Sequence, residues 1–103
     1  MGDYNTIILK KGYRTITKRD YKKFSHGDTF IDADPEILGR WSIDQEEKAK
    51  TELAKYKCET VEYPDCVEIT EYALEYFETD KDGEFISGSD LDFAESENMI
   101  NRM

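Results

Sequence analysis

CVEITEYALEYFETDKDGEF, residues 66–85, is the stretch that decides the fold of this chain. Its first part is rich in Val, Ile, Thr and Tyr, and apolar and polar residues alternate along it, as is typical of half-buried β-strands. The apolar positions change from odd numbers (Val67, Ile69) to even numbers (Tyr72, Leu74), which predicts a β-bulge near residues 70–71. Thr-Asp-Lys-Asp-Gly at 79–83 then predicts a hairpin loop in which Gly83 adopts the left-handed conformation before a return strand.

A helical interpretation of the same stretch also exists. Five apolar residues have helical spacing, and they are Ile69, Tyr72, Ala73, Tyr76 and Phe77. We favour the strand because β-branched and aromatic residues are enriched and because a hairpin loop follows. Upstream, residues 59–62 form the partner strand of a second hairpin, with Tyr63-Pro64-Asp65 as its turn.

The pattern of residues 44–56 predicts the main helix of the chain. Asp44-Gln-Glu-Glu47 matches a capping box, with Ser42 as a competing cap, and acidic residues precede basic ones as the helix dipole favours. Ala49, Leu53 and Tyr56 are spaced i, i+4 and i+7 and form a narrow apolar stripe. Only one face of this helix is therefore expected to pack.

The first 41 residues contain weaker signals. Residues 5–10 and 13–16 predict a β-hairpin that turns at Lys11-Gly12. Thr17-Lys-Arg-Asp20 matches a second capping box and predicts a short helix over 18–24. Residues 29–32 and 37–41 predict two further strands, with Gly39 as a possible bulge.

These elements predict an α+β fold: an antiparallel sheet of about five to seven strands with one main helix packed on one face. The 103 residues are sufficient for a single domain, 1–103, with the last ten residues frayed. Hydrophobic residues make up only 38% and charged residues 37%. Seven Tyr, five Phe and Trp41 supply the apolar area that a modest core needs, which argues against a disordered acidic chain.

The negative charge of the chain is concentrated in its second half. Residues 1–57 contain 12 Lys/Arg and 10 Asp/Glu, whereas residues 58–103 contain 2 and 14. The net charges are +2 and −12, which add up to the net charge of −10. Such a surface repels DNA, RNA and acidic membranes and attracts basic proteins. We therefore expect a basic protein partner, with neither a membrane nor direct nucleic acid binding.

The acidic half contains the candidate partner-binding residues. Residues i and i+2 of a strand are about 6.5–7 Å apart, which is comparable to the phosphate spacing along one DNA strand. Carboxylates on a sheet can therefore mimic a row of phosphates. The alternative is that the charge provides solubility alone. Our candidates for partner binding are Glu68, Glu71, Glu75, Glu78, Asp80, Asp82 and Glu84.

Two other classes of site remain open at the sequence level. Glu78-x-Asp80-x-Asp82-Gly83 resembles part of an EF-hand loop, but the last ligand position is Ser89 and the predicted flanks are strands. A calcium-binding module is thus an alternative, although no metal site is our main expectation. A nucleic-acid-binding module is the other, because basic residues at 10–23 are interleaved with Tyr13, Tyr21 and Phe24.

Nothing in the chain has the pattern of a catalytic site. We find no nucleophile elbow, Walker motif or dinucleotide-binding motif, and His26 falls in a polar turn. We therefore predict no catalytic residues, no cofactor and no enzymatic activity. Cys58 and Cys66 are expected opposite Thr70 and Glu62, too far apart for a disulfide, and the absence of a secretory signal favours a cytoplasmic location.

Several segments resemble small uncharacterised proteins of Firmicutes and gut-phage or mobile-element genomes, mainly between Trp41 and Phe93. The similar segments are Thr15-Ile-Thr-Lys18, Ser25-His-Gly-Asp-Thr29, Trp41-Ser42, Leu53-Ala-Lys-Tyr56, Val67-Glu-Ile-Thr-Glu-Tyr72 and Asp82-Gly-Glu-Phe85. The resemblance implies a compact antiparallel α+β fold. By analogy of size and charge, it also implies an anti-CRISPR-like inhibitor, a DNA mimic acting in the host cytoplasm.

Overall fold

A computed structural model describes residues 4–31, 34–82 and 84–95. The regular elements are β1 (Thr6–Thr17), α1 (Lys18–Tyr21), β2 (Glu36–Ser42), α2 (Glu46–Leu53), β3 (Glu59–Glu62), β4 (Cys66–Thr79) and β5 (Phe85–Phe93). Short 3₁₀ turns precede β2 and α2, at Asp28–Phe30 and Ile43–Gln45. The strands form a five-stranded antiparallel sheet, and α2 is the main helix. The predicted α+β class is confirmed.

β4 organises the sheet. The strand order is β2-β1-β4-β3, and β5 also pairs with β4. β3 lies along residues 67–70 of β4, whereas β5 lies along residues 73–79. The two short strands therefore share one edge of β4, and β1 pairs with β4 on its other edge from Thr6↔Phe77 to Thr17↔Cys66.

The expected turn at Lys11-Gly12 is wrong, because β1 continues through both residues. The glycine serves a close approach instead of a turn. A Cβ atom at Gly12 would lie 2.6 Å from Oγ1 of Thr29 and 2.6 Å from the ring of Phe30. The chain between α1 and β2 thus crosses β1 at a point where only a residue without a side chain fits.

The expected strand at 29–32 is also wrong within the described residues. Asp28–Phe30 forms a 3₁₀ turn, which begins after Gly27 in the left-handed conformation (φ 100°). The Asp28 carboxylate accepts a hydrogen bond from the backbone N–H of Ser25 at 2.8 Å. This local bonding holds the chain in a loop on the sheet rather than in an edge strand.

β4 has no bulge at residues 70–71, since its register with β1 is continuous there. The change in apolar phase has another cause, because different elements cover the two faces of β4. Val67 and Ile69 are fully buried on the face that carries α1, whereas Leu74 is buried on the face that carries α2. The bulge predicted at Gly39 is confirmed, because the β1–β2 register shifts between Leu9 and Lys10 opposite this segment.

Helix α2 buries the predicted stripe. Ala49 and Leu53 are buried, and Tyr56 stacks on Tyr72 with ring centroids 4.6 Å apart. The helix begins at Glu46 and is shorter than predicted, and the capping box at Asp44 does not form because Asp44 accepts a hydrogen bond from Ser42. The Thr17 capping interaction is present, since its Oγ1 accepts the N–H of Asp20 at 3.1 Å.

Candidate functional site

Four of the seven candidate carboxylates lie at the β4–β5 hairpin, and we name these residues the acidic tip: Glu78, Asp80, Asp82 and Glu84. Asp80, Asp82 and Glu84 are exposed, and Glu78 is half-buried. Oδ1 of Asp80 accepts the backbone N–H groups of Asp82 at 2.8 Å and Glu84 at 3.0 Å. This bonding orders the loop from within and leaves the other carboxylates facing solvent. Gly83 lies outside the described residues.

The acidic tip lies at one end of an elongated molecule. The longest dimension is 49 Å against 26 and 22 Å across. A 14-residue strand such as β4 extends over about 46 Å, so it runs nearly the full length. Among the described residues, no carboxylate of the acidic tip forms an ion pair with a lysine or arginine.

Glu71 occupies a different environment from the one expected. Its side chain is fully buried, so it is not part of an exposed acidic surface. Its carboxylate accepts hydrogen bonds from Oγ1 of Thr29 at 2.7 Å and from the N–H of Gly27 at 3.1 Å, and Nδ1 of His26 lies 2.7 Å away. Glu71 thus anchors the loop after α1 to the sheet.

Glu75 is neutralised by the chain itself. Nζ of Lys10 lies 2.5 Å from Oε1 of Glu75, and both side chains are largely withdrawn from solvent. The same ammonium lies 4.6 Å from the centroid of the Phe30 ring. This carboxylate is already compensated by a cation and is less available to a basic partner than the acidic tip.

Glu68 lies on the opposite face of β4 from Glu71 and Glu75, because side chains alternate along a strand. It accepts hydrogen bonds from the phenol groups of Tyr13 at 2.8 Å and Tyr63 at 3.1 Å. The seven candidates therefore do not form one continuous row. The structure brings together the four carboxylates of the acidic tip. The other three candidates differ from them and from one another in the sheet face they occupy, in their burial and in the groups that they contact.

The described residues of the hairpin differ from an EF-hand in the elements that flank the loop. Strands β4 and β5 flank the loop, as the sequence predicted, whereas an EF-hand has helices there. Within residues 4–31, 34–82 and 84–95, no three His, Cys, Asp or Glu side chains are placed to hold a metal ion.

The basic run at 10–23 is dispersed. Lys10 pairs with Glu75, Arg14 donates a hydrogen bond to the carbonyl of Ile31, and Lys18 lies 3.4 Å from Glu62. Exposed cations remain on and after α1, and they are Arg19, Lys22 and Lys23. Counterion release requires clustered cations, and three of the seven cations of this run are already engaged within the chain.

His26 is the residue whose surroundings the sequence did not reveal. Its side chain is 42% exposed, as a polar turn predicts, yet its ring contacts buried Glu71 and lies 4.9 Å from the Phe93 ring. The sequence contains one indication of these surroundings. Val67 and Ile69 face inward, and Glu71 is the next odd-numbered residue of the same strand, so uninterrupted alternation places it inside as well. The bulge predicted at residues 70–71 would instead turn Glu71 outward.

The cysteines are free, and the register differs by one residue from expectation. Glu62 pairs with Val67, and the N–H of Tyr63 bonds to the carbonyl of Cys66 at 2.9 Å. Cys58 is buried where β3 meets the end of β5, and its N–H donates to the carbonyl of Glu95 at 2.9 Å. Burial raises the pKa of the Cys58 thiol.

A groove of about 380 Å³ lies between α2 and the end of β5. Leu53, Tyr56 and Phe93 line its apolar part, and Lys50 and Asp92 lie at its rim. The groove contains no histidine or cysteine.

Comparisons with known proteins identify no relative of this chain. No protein-family model, no curated protein and no solved structure matches the chain. In the part of the chain that is described, no helix has the length and apolar character that crossing a membrane requires.

Proposed function

We propose that this protein is a non-enzymatic, acidic interaction protein that binds a basic surface of another protein through the acidic tip. The observation that carries the proposal is the state of these carboxylates. They project from one end of the molecule, their loop is ordered by Asp80, and no cation of the described chain pairs with them. Lys81 is the only basic residue between Glu78 and Glu84.

Electrostatics support this mode of binding. Fields from clustered like charges accelerate association with an oppositely charged partner and make the rate dependent on salt. The acidic tip belongs to the half of the chain that has a net charge of −12. A loop whose backbone N–H groups are already bonded to Asp80 loses less conformational entropy on binding, which favours affinity.

The concrete form of the proposal is an antidefence inhibitor of the anti-CRISPR kind. Such a protein would place carboxylates where a host effector binds the phosphates of a nucleic acid. Small size and strong negative charge support this assignment by analogy, and the site of action would be the host cytoplasm. The acidic tip, rather than a carboxylate row along β4, is the mimic that we propose.

The test uses a panel of purified RNA-guided nucleases and a labelled DNA target. The native protein should reduce DNA binding by at least one member, and Glu78→Lys/Asp82→Lys/Glu84→Lys should abolish the effect. Asp80 is retained because it orders the loop. The matched control, Asp34→Lys/Glu36→Lys/Glu47→Lys, changes the net charge equally at exposed positions elsewhere and should remain active.

Two results would contradict the proposal. One is equal loss of activity in both triple variants, because net charge alone would then explain binding. The other is an acidic-tip variant as active as the native protein.

A further inference from the structure

Among the described residues, no helix or loop covers one half of a sheet face. Paired residues of an antiparallel sheet point to the same side, so the registers place alternate residues of 13–17, 59–63 and 66–70 on one face. We name this surface the open face, and its residues are Tyr13, Thr15, Thr17, Glu59, Val61, Tyr63, Cys66, Glu68 and Thr70. Each of them is exposed or half-buried, whereas Val67 and Ile69, which point to the other side, are fully buried.

The open face lies beyond the reach of α2. The helix contacts β1, β2 and β4, and the buried residues of β1 and β4 on this side of the sheet are Ile7, Leu9 and Leu74, which lie towards its other end. Large side chains are exposed on the uncovered part: Tyr13 at 54%, Val61 at 44% and Tyr63 at 43%. A group of exposed tyrosine and aliphatic side chains on a sheet face is typical of a protein-binding surface.

Glu68 lies at the centre of the open face. Tyr13 donates a hydrogen bond to its Oε2 at 2.8 Å, and Tyr63 donates to its Oε1 at 3.1 Å. Oγ1 of Thr15 donates in turn to the Tyr13 phenol at 3.3 Å. The carboxylate is therefore held in a fixed orientation between two rings.

The negative charge of Glu68 is not compensated within the described chain. No lysine or arginine there forms an ion pair with it, and Lys18, at this end of the sheet, pairs with Glu62 instead. The hydrogen bond to Glu68 and its negative charge raise the pKa of Tyr63, so this phenol remains a donor at neutral pH. A carboxylate accepts about four hydrogen bonds, so two tyrosines leave acceptor capacity on both oxygens.

We propose that the open face is a second docking surface, which receives an arginine side chain from a protein partner on Glu68 between Tyr13 and Tyr63. A guanidinium is planar, donates to both oxygens of one carboxylate and stacks on aromatic rings. A lysine ammonium supplies the charge without the planar fork. Glu59 on the same face adds negative charge, which disfavours the phosphates of a nucleic acid.

This surface is distinct from the acidic tip. Glu68 and Glu78 are ten residues apart on β4, which corresponds to about 33 Å along the strand. Binding of a partner at the open face can therefore be tested separately from binding through the acidic tip.

The experiment titrates the isotope-labelled protein with three capped pentapeptides, Gly-Gly-X-Gly-Gly, in which X is arginine, lysine or citrulline. Amide chemical shifts report where each peptide binds. Arginine should shift residues of the open face, lysine should bind at least threefold more weakly, and uncharged citrulline should produce no localised shifts.

Two variants make the result specific. Glu68→Gln retains the size of the side chain but removes its charge, and it should weaken arginine binding at least tenfold. Glu62→Gln is the matched control, because this exposed residue of β3 lies outside the open face, and it should leave the affinity unchanged.

Four outcomes would overturn the proposal. They are no shifts localised to the open face, equal affinity in Glu68→Gln, a stronger response to a short oligothymidine than to the arginine peptide, and concentration-dependent shifts without peptide. The last two outcomes would assign the surface to a nucleic acid or to a second copy of this chain.

Discussion

At the scale of single residues, burial separates the roles of the glutamates of β4. Glu71 has no solvent exposure and is bonded to three groups of one loop, whereas Glu68 faces solvent between two tyrosines. An ionised carboxylate is stable in the interior only when donors surround it. Glu71 is thus structural, and the available carboxylates lie elsewhere.

Replacement of Glu71 tests this role. Glu71→Ala should lower the free energy of unfolding by about 2–4 kcal/mol, because buried donors of Gly27 and Thr29 lose their acceptor. Glu71→Gln should cost less, since the amide oxygen still accepts. Urea unfolding followed by circular dichroism measures both. Glu59→Ala, at an exposed position, is the control and should change stability by less than about 0.5 kcal/mol.

The pKa of Tyr63 provides a second test at the scale of single residues. In the folded protein this pKa is raised above the ordinary value of tyrosine, first by the hydrogen bond to Glu68 and then by the charge of that carboxylate. Because the pKa is higher in the folded than in the unfolded protein, this group stabilises the folded state at pH values below its unfolded-state pKa. The contribution is lost as the pH rises through the folded-state pKa.

Removal of the acceptor should reverse this shift. Glu68→Gln should lower the pKa of Tyr63, as measured by NMR titration of ¹³C-labelled tyrosine. Glu62→Gln should produce a smaller change, because Glu62 is not bonded to this phenol. An unchanged Tyr63 pKa in Glu68→Gln would contradict the hydrogen bond on which the open face depends.

At the scale of elements, two glycines of the sheet allow aromatic rings to approach the backbone closely. The turn Asp28–Phe30 lies across β1 at Gly12, and the ring of Trp41 lies over Gly39 in β2. Each glycine leaves space that a neighbouring ring occupies. The crossing at Gly12 also holds Thr29 within reach of Glu71, and so connects the loop to the sheet.

Gly12→Ala should therefore destabilise the protein although alanine suits a strand better than glycine. The added methyl group would overlap Thr29 and Phe30 and force them to move, at a cost of about 1–3 kcal/mol. Thermal unfolding measures the loss. Thr15→Ala, on an exposed position of the same strand, is the comparison and should have little effect. A stabilised Gly12→Ala would show that the crossing is not close.

At the scale of the whole molecule, charge is distributed along the long axis. The acidic tip lies at one end, and the exposed cations Arg19, Lys22 and Lys23 follow the end of β1 at the other. Repulsion within the acidic half opposes the compact state, and salt screens it over a Debye length of about 8 Å at physiological ionic strength.

The melting temperature should thus rise by a few degrees between about 0.01 and 0.3 M NaCl. The triple variant Glu78→Lys/Asp82→Lys/Glu84→Lys should show a smaller rise than Asp34→Lys/Glu36→Lys/Glu47→Lys, because only the former removes charge from the acidic half. Differential scanning calorimetry provides the measurement. Equal salt responses would indicate that the charge is not locally concentrated.

Local patterns were enough to predict the strands of residues 59–85, the stripe on α2, the capping interaction at Thr17 and the charge asymmetry. These properties depend on neighbours in the chain, through side-chain alternation, helical spacing and composition. The fold class follows from them, and so does the exposure of the acidic tip, because a hairpin loop extends beyond its sheet.

Tertiary structure alone decided which carboxylates of β4 reach solvent. Alternation cannot tell whether a strand has one covered face or two, and here α1 and its following loop cover one side while α2 covers part of the other. Glu71 was consequently buried, Glu75 met Lys10 from a strand 65 residues away in sequence, and Glu68 was left between Tyr13 and Tyr63. These contacts join residues distant in sequence, so no local pattern encodes them.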